Sequence, residues 1–168
     1  MKAVNKTHKI ALSGVLIALG VVLSPLSINV GITKLLPFQH LINVISAILI
    51  GPLYAVLNAI VISIIRNLVG WGTLFAFPGS IFGALLAGLM FKKFNNTYLT
   101  AIGEVIGTGI IGAIVACPVA ILFMGKEATL FAYVIPFVIS SFVGALIAVI
   151  LFEFTALKKI VMKKKVSV

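Results

Sequence analysis

Five polar residues beside the apolar segments of the chain have the types and spacing of a hydrogen-bonding site. Gln39, His40 and Asn43 stand together at the start of one apolar run, and Gln39 and Asn43 are one helical turn apart. Arg66 and Asn67 end the next apolar run. Amide, imidazole and guanidinium groups donate or accept hydrogen bonds, so these residues indicate binding of a small polar molecule.

Aromatic residues accompany this polar group. The stretch RNLVGWGTLFAFPGS, residues 66–80, runs on into a loop that contains Trp71 and Phe77, and Tyr133 opens the last apolar run. Apolar walls with a few placed polar groups are typical of small-molecule pockets. We interpret the stretch as the lid and wall of such a pocket. The predicted substrate-binding residues are Gln39, His40, Asn43, Arg66, Asn67, Trp71, Phe77 and Tyr133.

Several of these residues also have an ordinary role in a membrane protein. Arg66 can extend from a helix end to the lipid headgroups, and Trp71 and Tyr133 can be interfacial aromatic residues. His40 can donate to a local backbone carbonyl. The neighbouring amides gain nothing from facing lipid, and the combination therefore favours the pocket.

Glu104 raises a separate question, because it lies about two helical turns inside an apolar run. One hypothesis is that it couples transport to a proton or cation; the other is that it makes a hydrogen bond to a neighbouring helix. At about 1.5 Å of rise per residue it lies well below Arg66, which argues against a direct pair between them. We favour the structural role.

Catalytic chemistry finds no support in the residue types. The chain contains no aspartate, which excludes a Ser/His/Asp triad, and its two histidines are expected on opposite sides of the membrane. Gly125-Lys126 lacks the flanking residues of a phosphate-binding loop. Cys117 is the only cysteine and is read as a small packing residue. We expect no enzyme activity, no metal site and no cofactor.

The composition indicates that membrane helices position these residues. The chain has 168 residues, of which 62% are hydrophobic and 10% charged, whereas soluble domains are about 45–50% apolar and about 25% charged. The net charge of +10 comes from short basic clusters between apolar runs, as in membrane proteins. We therefore predict one integral membrane domain, residues 1–168, with basic tails at 1–9 and 158–168.

Six apolar runs predict six transmembrane helices. Fusing the second and third runs across Gly51-Pro52 would leave five. With six spans, ten of the thirteen basic residues lie on the inner side and only Lys34, Arg66 and Lys126 lie outside, so the positive-inside rule favours six, with both termini cytoplasmic. The predicted spans are residues 10–26, 38–50, 53–68, 80–91, 98–124 and 128–157, and the intervening SINVGITKLLPFQH is too polar and broken to face lipid.

Rows of small residues predict that these helices pack closely, because helices in lipid associate where small side chains let backbones approach. The rows are Gly79, Gly83 and Ala87 in the fourth run, Gly103 and Gly107 and then Thr108, Gly112 and Ala116 in the fifth, Ser140, Gly144 and Ala148 in the sixth, and Gly14 and Ala18 in the first. The expected fold class is an all-α membrane protein, a compact six-helix bundle.

The quoted stretch, together with QHLINVISAILIGPLYA, GALLAGL, GEVIGTG and IPFVISSFVGALI, resembles the ThiW family over about residues 11–151. ThiW proteins are substrate-binding S components of energy-coupling-factor (ECF) transporters, assigned to the thiazole precursor of thiamine. The resemblance implies a six-helix bundle in the prokaryotic plasma membrane with both termini cytoplasmic. It also implies a pocket near the outer face, walled by the loops after the first, third and fifth helices.

The resemblance further implies a ligand and partners. The ligand would be 4-methyl-5-hydroxyethylthiazole. The partners would be a transmembrane coupling subunit and two cytoplasmic ATPases, which supply energy that this chain lacks. S components of this type dock through small residues on the first helix, commonly Ala-xxx-Ala, and Gly14 and Ala18 are the nearest match in this sequence.

Three other functions are open at this stage. The chain can be an S component for another small vitamin precursor, such as a pyrimidine. It can be a stand-alone proton-coupled carrier that uses Glu104. It can be a structural membrane protein without a ligand, against which the clustered polar residues argue.

Overall fold

A computed structural model describes residues 5–30, 33–125 and 130–155. The helices are α1 (Lys6–Val22), α2 (Pro37–Ile50), α3 (Pro52–Leu68), α4 (Ala76–Phe94), α5 (Thr97–Ile106), α6 (Ala113–Met124) and α7 (Leu130–Phe154). A π-helical segment, Gly107–Gly112, joins α5 to α6 without a break, so the described residues form six helical rods. The predicted fold class is confirmed at the level of a six-helix protein.

The sequence positions of glycine, proline and asparagine explain where the rods end. Gly51 ends α2 at φ 88°, a conformation that glycine adopts without strain, and Pro52 occupies the first turn of α3. These two residues therefore separate α2 from α3, so the two runs do not fuse into one helix. Asn95 ends α4 in the left-handed region, and the Asn96 side chain caps α5 by accepting from the backbone N–H groups of Tyr98 and Leu99.

Two helices differ most from the predicted spans. The first span was predicted to reach Leu26, but α1 ends at Val22 and a turn leads to Pro25, a residue that cannot continue the helical hydrogen bonding. The fourth span was predicted from Ser80 to Phe91, and α4 is longer at both ends. Its first turn includes Pro78, which is tolerated there because the first backbone N–H groups of a helix need no intrahelical partner. Predicted residues 126–129 and 156–157 lie outside the described residues.

The polar segment between α1 and α2 contains a short hairpin that the all-α prediction missed. Strands β1 (Ile28–Val30) and β2 (Thr33–Leu35) pair antiparallel with Ile28 opposite Leu35. The backbone N–H of Leu36 then donates to Oγ of Ser140 on α7 at 2.7 Å. The hairpin places the segment before α2 against the end of the bundle that holds the polar residues of α2.

The short helix α2 lies at the centre of the bundle. It packs against α1, α3, α4, α5 and α7, and eleven of its fourteen residues are buried. At about 1.5 Å per residue it is roughly 21 Å long, shorter than the hydrocarbon core of a bilayer. Because other helices surround it, its polar side chains do not face lipid and instead bond to neighbours. Asn58 of α3, for example, donates to Oγ of Ser46 at 3.2 Å.

Glycines allow the closest helix contacts, as the small-residue rows predicted for α4, α5 and α7. A Cβ at Gly107 would lie 2.4 Å from the carbonyl oxygen of Phe82 on α4, and one at Gly144 would lie 2.1 Å from that of Pro37 on α2. Any larger residue there would force the backbones apart. Gly14 differs, because a Cβ there would meet nothing within 4 Å.

The outside of the bundle is apolar. Two helical stretches are long and apolar enough to cross a membrane, Thr97–Phe123 and Tyr133–Phe154, and α2 and α3 are shorter apolar helices. Only 39% and 28% of the apolar 18-residue window in each stretch is buried, so much of their apolar surface faces outward, with Ile110, Ile114 and Phe142 exposed. Charged Glu104 and Arg66 are instead buried. An apolar exterior around polar interior groups is the arrangement that suits a lipid environment.

Candidate substrate-binding site

The first buried polar cluster, the Arg66 cluster, consists of Arg66 of α3 and Gln39 of α2. The Arg66 side chain is 1% exposed, and its Nη1 donates to Oε1 of Gln39. Nε2 of Gln39 donates to the carbonyl oxygen of Ala76 at 3.3 Å, which fixes the amide with its oxygen toward the guanidinium. Among the described residues, Nε and Nη2 of Arg66 have no hydrogen-bond partner. The cluster therefore holds two unused charged donors.

The loop after α3 folds back over the end of that helix. The backbone N–H groups of Trp71 and Gly72 both donate to the carbonyl oxygen of Arg66 at 2.9 Å. Nδ2 of Asn67 donates to the carbonyl oxygens of Ser63 and Thr73. These bonds fix the backbone around Arg66, so the loop acts as a cap that holds the arginine in place.

A narrow cleft lies beside this cluster. Its empty space is about 150 Å³, which includes the part open to solvent, and it encloses no room for a water molecule, so the cleft is closed as it stands. Its walls come from the end of α1, the connection to α2, the start of α2 and the end of α3. The lining residues are Leu23, Ser24, Leu26, Leu36, Phe38, Gln39 and Arg66. An apolar wall with one amide and one guanidinium has the residue types of a small-molecule site, and a ring compound enters it only when the walls move apart.

The second buried polar cluster, the Glu104 cluster, joins α2, α4 and α5. Oε1 of Glu104 lies 2.8 Å from Nδ1 of His40 and accepts from Nδ2 of Asn43 at 2.9 Å. Nδ2 of Asn43 also lies 3.3 Å from the carbonyl oxygen of Ser80. Oγ1 of Thr108 donates to the carbonyl oxygen of Gly79 at 2.7 Å and lies 3.2 Å from the same carboxylate oxygen. The cluster as a whole thus cross-links three helices.

Gly83 of α4 makes room for this cluster. A Cβ at Gly83 would lie 2.2 Å from Oγ1 of Thr108 and 2.6 Å from Oε1 of Glu104. Both atoms are held by hydrogen bonds and have no free direction in which to move. The glycine row of α4 therefore serves the polar cluster as well as close packing.

A third group consists of aromatic rings on the far side of the loop. Tyr133 of α7 packs on Phe75 with ring centroids 4.8 Å apart, and on Phe137 at 6.5 Å. Phe77 is half-buried in the first turn of α4, and Trp71 is 51% exposed. Because Ala76 bonds to Gln39 and Phe75 packs on Tyr133, the short segment 75–76 connects the aromatic group to the Arg66 cluster.

The predicted site residues thus separate into groups. Gln39 and Arg66 meet, as predicted, whereas His40 and Asn43 turn to Glu104. Asn67 bonds to its own loop, and Trp71 and Tyr133 lie outside the cleft lining. Phe75 was missed, although its position in the quoted stretch made it as strong a candidate as Phe77. Whether any of these residues binds a ligand stays a prediction.

The link between Glu104 and α2 was also missed, and helix length explains why. Asn43 lies about 10 Å from the end of α2 at Ile50, and Glu104 lies about 10 Å from the start of α5 at Thr97, by a rise of about 1.5 Å per residue. Because α2 is short, the two residues reach the same level. The hydrogen bonds to α2 correspond to the structural role favoured for Glu104.

Within the described residues, no three His, Cys, Asp or Glu side chains lie close enough together to hold a metal ion. The site is thus a set of hydrogen-bond donors, acceptors and rings.

Comparison with known proteins identifies the family. Residues 10–159 match the family model described as thiamine-precursor transporter protein (ThiW), which covers most of the chain. Searches among curated proteins and among solved structures found no match. The matched range includes both buried polar clusters and all six rods except the first four residues of α1. The chain therefore belongs to the ThiW family, a family of transporter proteins for thiamine precursors and not of enzymes.

Proposed function

We propose that this chain is the substrate-binding S component of an ECF-type importer. It captures a thiamine precursor, hydroxyethylthiazole, at the outer face of the plasma membrane. A transmembrane coupling subunit and two cytoplasmic ATPases then drive its uptake. Both termini lie in the cytoplasm, consistent with the lysine-rich ends of the sequence.

The observation that carries the proposal is the Arg66 cluster beside its cleft. A buried guanidinium with two unused donors is costly unless a partner reaches it. A structural arginine would have its donors satisfied by the protein, as the carboxylate oxygen Oε1 of Glu104 is satisfied by α2. The unused donors therefore favour a site that a ligand completes.

The remaining candidate residues have roles that follow from their contacts. Arg66 and Gln39 bond to the polar atoms of the thiazole. Tyr133 and Phe75 form an aromatic wall behind segment 75–76 and contact the ring when the loop moves. His40 and Asn43 hold the start of α2 through Glu104. Asn67 fixes the loop over the end of α3.

The exposed face of helix α1 has the residue types expected of a docking surface for the coupling subunit. Ala11, Gly14, Val15 and Ala18 are all exposed, and the space beside Gly14 is open. Small residues on an exposed apolar helix face let a partner helix approach closely. Gly14 and Ala18 are the residues that we assign to this contact.

Binding to purified protein tests the substrate assignment. Native mass spectrometry of protein prepared from cells should find a retained thiamine precursor. Arg66→Leu should weaken binding of hydroxyethylthiazole, because it removes the charged donors, while Lys93→Gln, which removes an exposed cation on α4, should not. Equal affinity of wild type and Arg66→Leu would remove the Arg66 cluster from the binding site.

A double variant tests the docking assignment. Gly14→Leu with Ala18→Leu should abolish co-purification with the coupling subunit and leave ligand binding unchanged, because both residues lie on the exposed face of α1. Val61→Leu, at an exposed position of α3, is the control. Full assembly of the double variant would place the docking surface elsewhere.

One observation supports the second candidate, a stand-alone proton-coupled carrier. Oε2 of buried Glu104 has no hydrogen-bond partner among the described residues, so that oxygen is free to hold a proton. Uptake into liposomes by this chain alone, driven by a pH gradient and lost in Glu104→Gln, would favour the carrier. Uptake that requires the ATPases would favour the S component.

A further inference from the structure

We propose that Arg66 recognises an oxyanion, a carboxylate or a phosphate ester, carried by the small ring compound that the site binds. This inference rests on the proposed function for the identity of the thiazole ring. It departs from that function in one respect, because it makes the neutral alcohol a weaker ligand than a thiazole that carries an oxyanion. Its basis is the position of the two unused donors, the absence of a nearby counter-charge and the fixed orientation of the side chain.

The unused donors form one complete edge of the guanidinium group. Nη1 is the nitrogen on the same side as Cδ, and it is the one that bonds to Gln39. Nε–H and the neighbouring N–H of Nη2 lie parallel on the opposite edge, and neither has a partner among the described residues. This edge binds a carboxylate or a phosphate through two parallel hydrogen bonds.

The charge of Arg66 also has no counter-charge among the described residues. The described carboxylate of Glu104 faces His40, and no described carboxylate lies within 4.0 Å of Arg66. A buried cation without a counter-ion loses hydration and gains no Coulomb attraction in return. A bound oxyanion restores that attraction, whereas a neutral ligand does not.

The protein holds the guanidinium ready for such a partner. Gln39 is fixed by its bond to Ala76 and presents its oxygen to Nη1. The carbonyl of Arg66 is capped by two backbone N–H groups of the loop. A donor pair that is already oriented loses little conformational entropy when the ligand binds.

The presence of an arginine at position 66 agrees with oxyanion binding. Arg66 is the only arginine in the chain, and every other basic residue is a lysine. Lysine presents a point charge and no planar pair of donors. A neutral hydroxyethylthiazole offers a ring nitrogen with one lone pair and a separate hydroxyl group, so it cannot fill the free edge with two parallel bonds.

The test compares three probes on the purified chain by calorimetry: neutral hydroxyethylthiazole, its phosphate ester, and a methylthiazole carboxylate. We expect at least one oxyanion to bind roughly tenfold or more tightly than the neutral alcohol, as charged hydrogen bonds would produce. The preferred probe distinguishes a carboxylate from a phosphate site. Arg66→Lys and Arg66→Gln should remove the preference, and the control Lys93→Gln should keep it.

Tighter binding of the neutral alcohol than of both oxyanions would overturn the oxyanion proposal and leave the thiazole function intact. If no thiazole binds, the proposed substrate fails, and inorganic phosphate tests the anion site by itself. Phosphate should then raise the melting temperature of wild type, relative to chloride at equal ionic strength, and not that of Arg66→Gln. Equal shifts in the two proteins would also overturn the proposal.

Two further variants keep the test decisive if the Arg66 variants do not fold. Gln39→Glu places a carboxylate beside Nη1 and should reduce oxyanion affinity while keeping the arginine. Glu127 lies outside the described residues, so Glu127→Gln tests whether that acid already neutralises Arg66. If Glu127 neutralises Arg66, oxyanion affinity will be higher in Glu127→Gln than in wild type. The proposal for the native chain would be overturned if Glu127→Gln preferred oxyanions and wild type did not.

Discussion

The Arg66 cluster and the Glu104 cluster each bury one charged side chain against the same short helix, and they differ in how completely the protein satisfies it. Oε1 of Glu104 is met by His40 and Asn43, with Thr108 alongside, and only its Oε2 has no described partner. Arg66 has one described partner, Gln39, and two donors without one. The difference separates a cross-link that holds helices together from a site that a ligand completes.

Position in the bundle accounts for this difference. Glu104 lies where α2, α4 and α5 cross, and the glycine at 83 brings α4 close enough to enclose the carboxylate. Arg66 lies at the end of α3 beside a cleft whose walls include the turn after α1 and the connection into α2. A crossing of three helices supplies many backbone and side-chain partners, and a helix end beside a cleft supplies few.

The largest effect is expected for Glu104→Leu. Removing the carboxylate takes away the described side-chain partner of His40 and the closer of the two acceptors of Asn43, and each buried polar group left without its partner costs about 1–3 kcal/mol. Unfolding of the purified protein in detergent should show this loss. A change below about 1 kcal/mol would mean that the cross-link contributes little to stability.

Arg66→Gln should reduce ligand affinity more than it reduces stability. Ligand affinity should fall by about 1.5–3 kcal/mol, the range for hydrogen bonds to a charged group. The free energy of unfolding should fall clearly less than in Glu104→Leu. Arg66→Gln removes one hydrogen bond, to Gln39, but it also removes a buried charge and two buried donors that have no described partner. Equal losses of stability in the two variants would contradict the distinction between the clusters.

Gly83→Ala tests how tightly the Glu104 cluster is enclosed. The added methyl group overlaps Oγ1 of Thr108 and Oε1 of Glu104, and overpacking of this kind costs about 1–3 kcal/mol. The matched control is Gly14→Ala, a helical glycine with open space beside it, which should be neutral or stabilising by up to about 1 kcal/mol. Thermal unfolding of both variants measures the comparison.

The aromatic group should give the smallest effect. Phe75→Leu removes the ring contact with Tyr133 and should weaken ligand binding by about 0.5–1.5 kcal/mol, the usual contribution of an aromatic pair. Trp71→Leu, at a half-exposed position, should leave affinity unchanged. If Trp71→Leu reduced affinity more than Phe75→Leu, the loop would cover the ligand with its tryptophan, as the sequence first indicated.

The elements were largely predictable because each signal is local. Gly51-Pro52 separates two helices through backbone conformations that these residue types favour, and the structure has both helices. The glycine rows of α4, α5 and α7 occur at close helix contacts, since only a missing side chain allows that approach. The hairpin was not predicted, because three-residue strands carry too few residues for an alternating pattern to be recognised.

The site was only partly predictable, because its contacts join residues that are far apart in the sequence. Gln39 and Arg66 were both selected, and they meet across 27 positions. His40 and Glu104 are 64 positions apart and were treated as unrelated. Gln39 turns to the cleft and the adjacent His40 turns to α5. The rotation of α2 among its neighbours decides which side chain faces which way.

The sequence by itself determined the membrane character, the number of helices and the residues that had to be buried. These properties follow from apolar runs, charge distribution and backbone preferences, which act within a few residues of each other. Only the tertiary structure decided that one buried charge is enclosed and the other keeps a free edge. Whether a buried polar atom has a hydrogen-bond partner depends on the relative depth and rotation of separate helices. The packing of the whole bundle sets both.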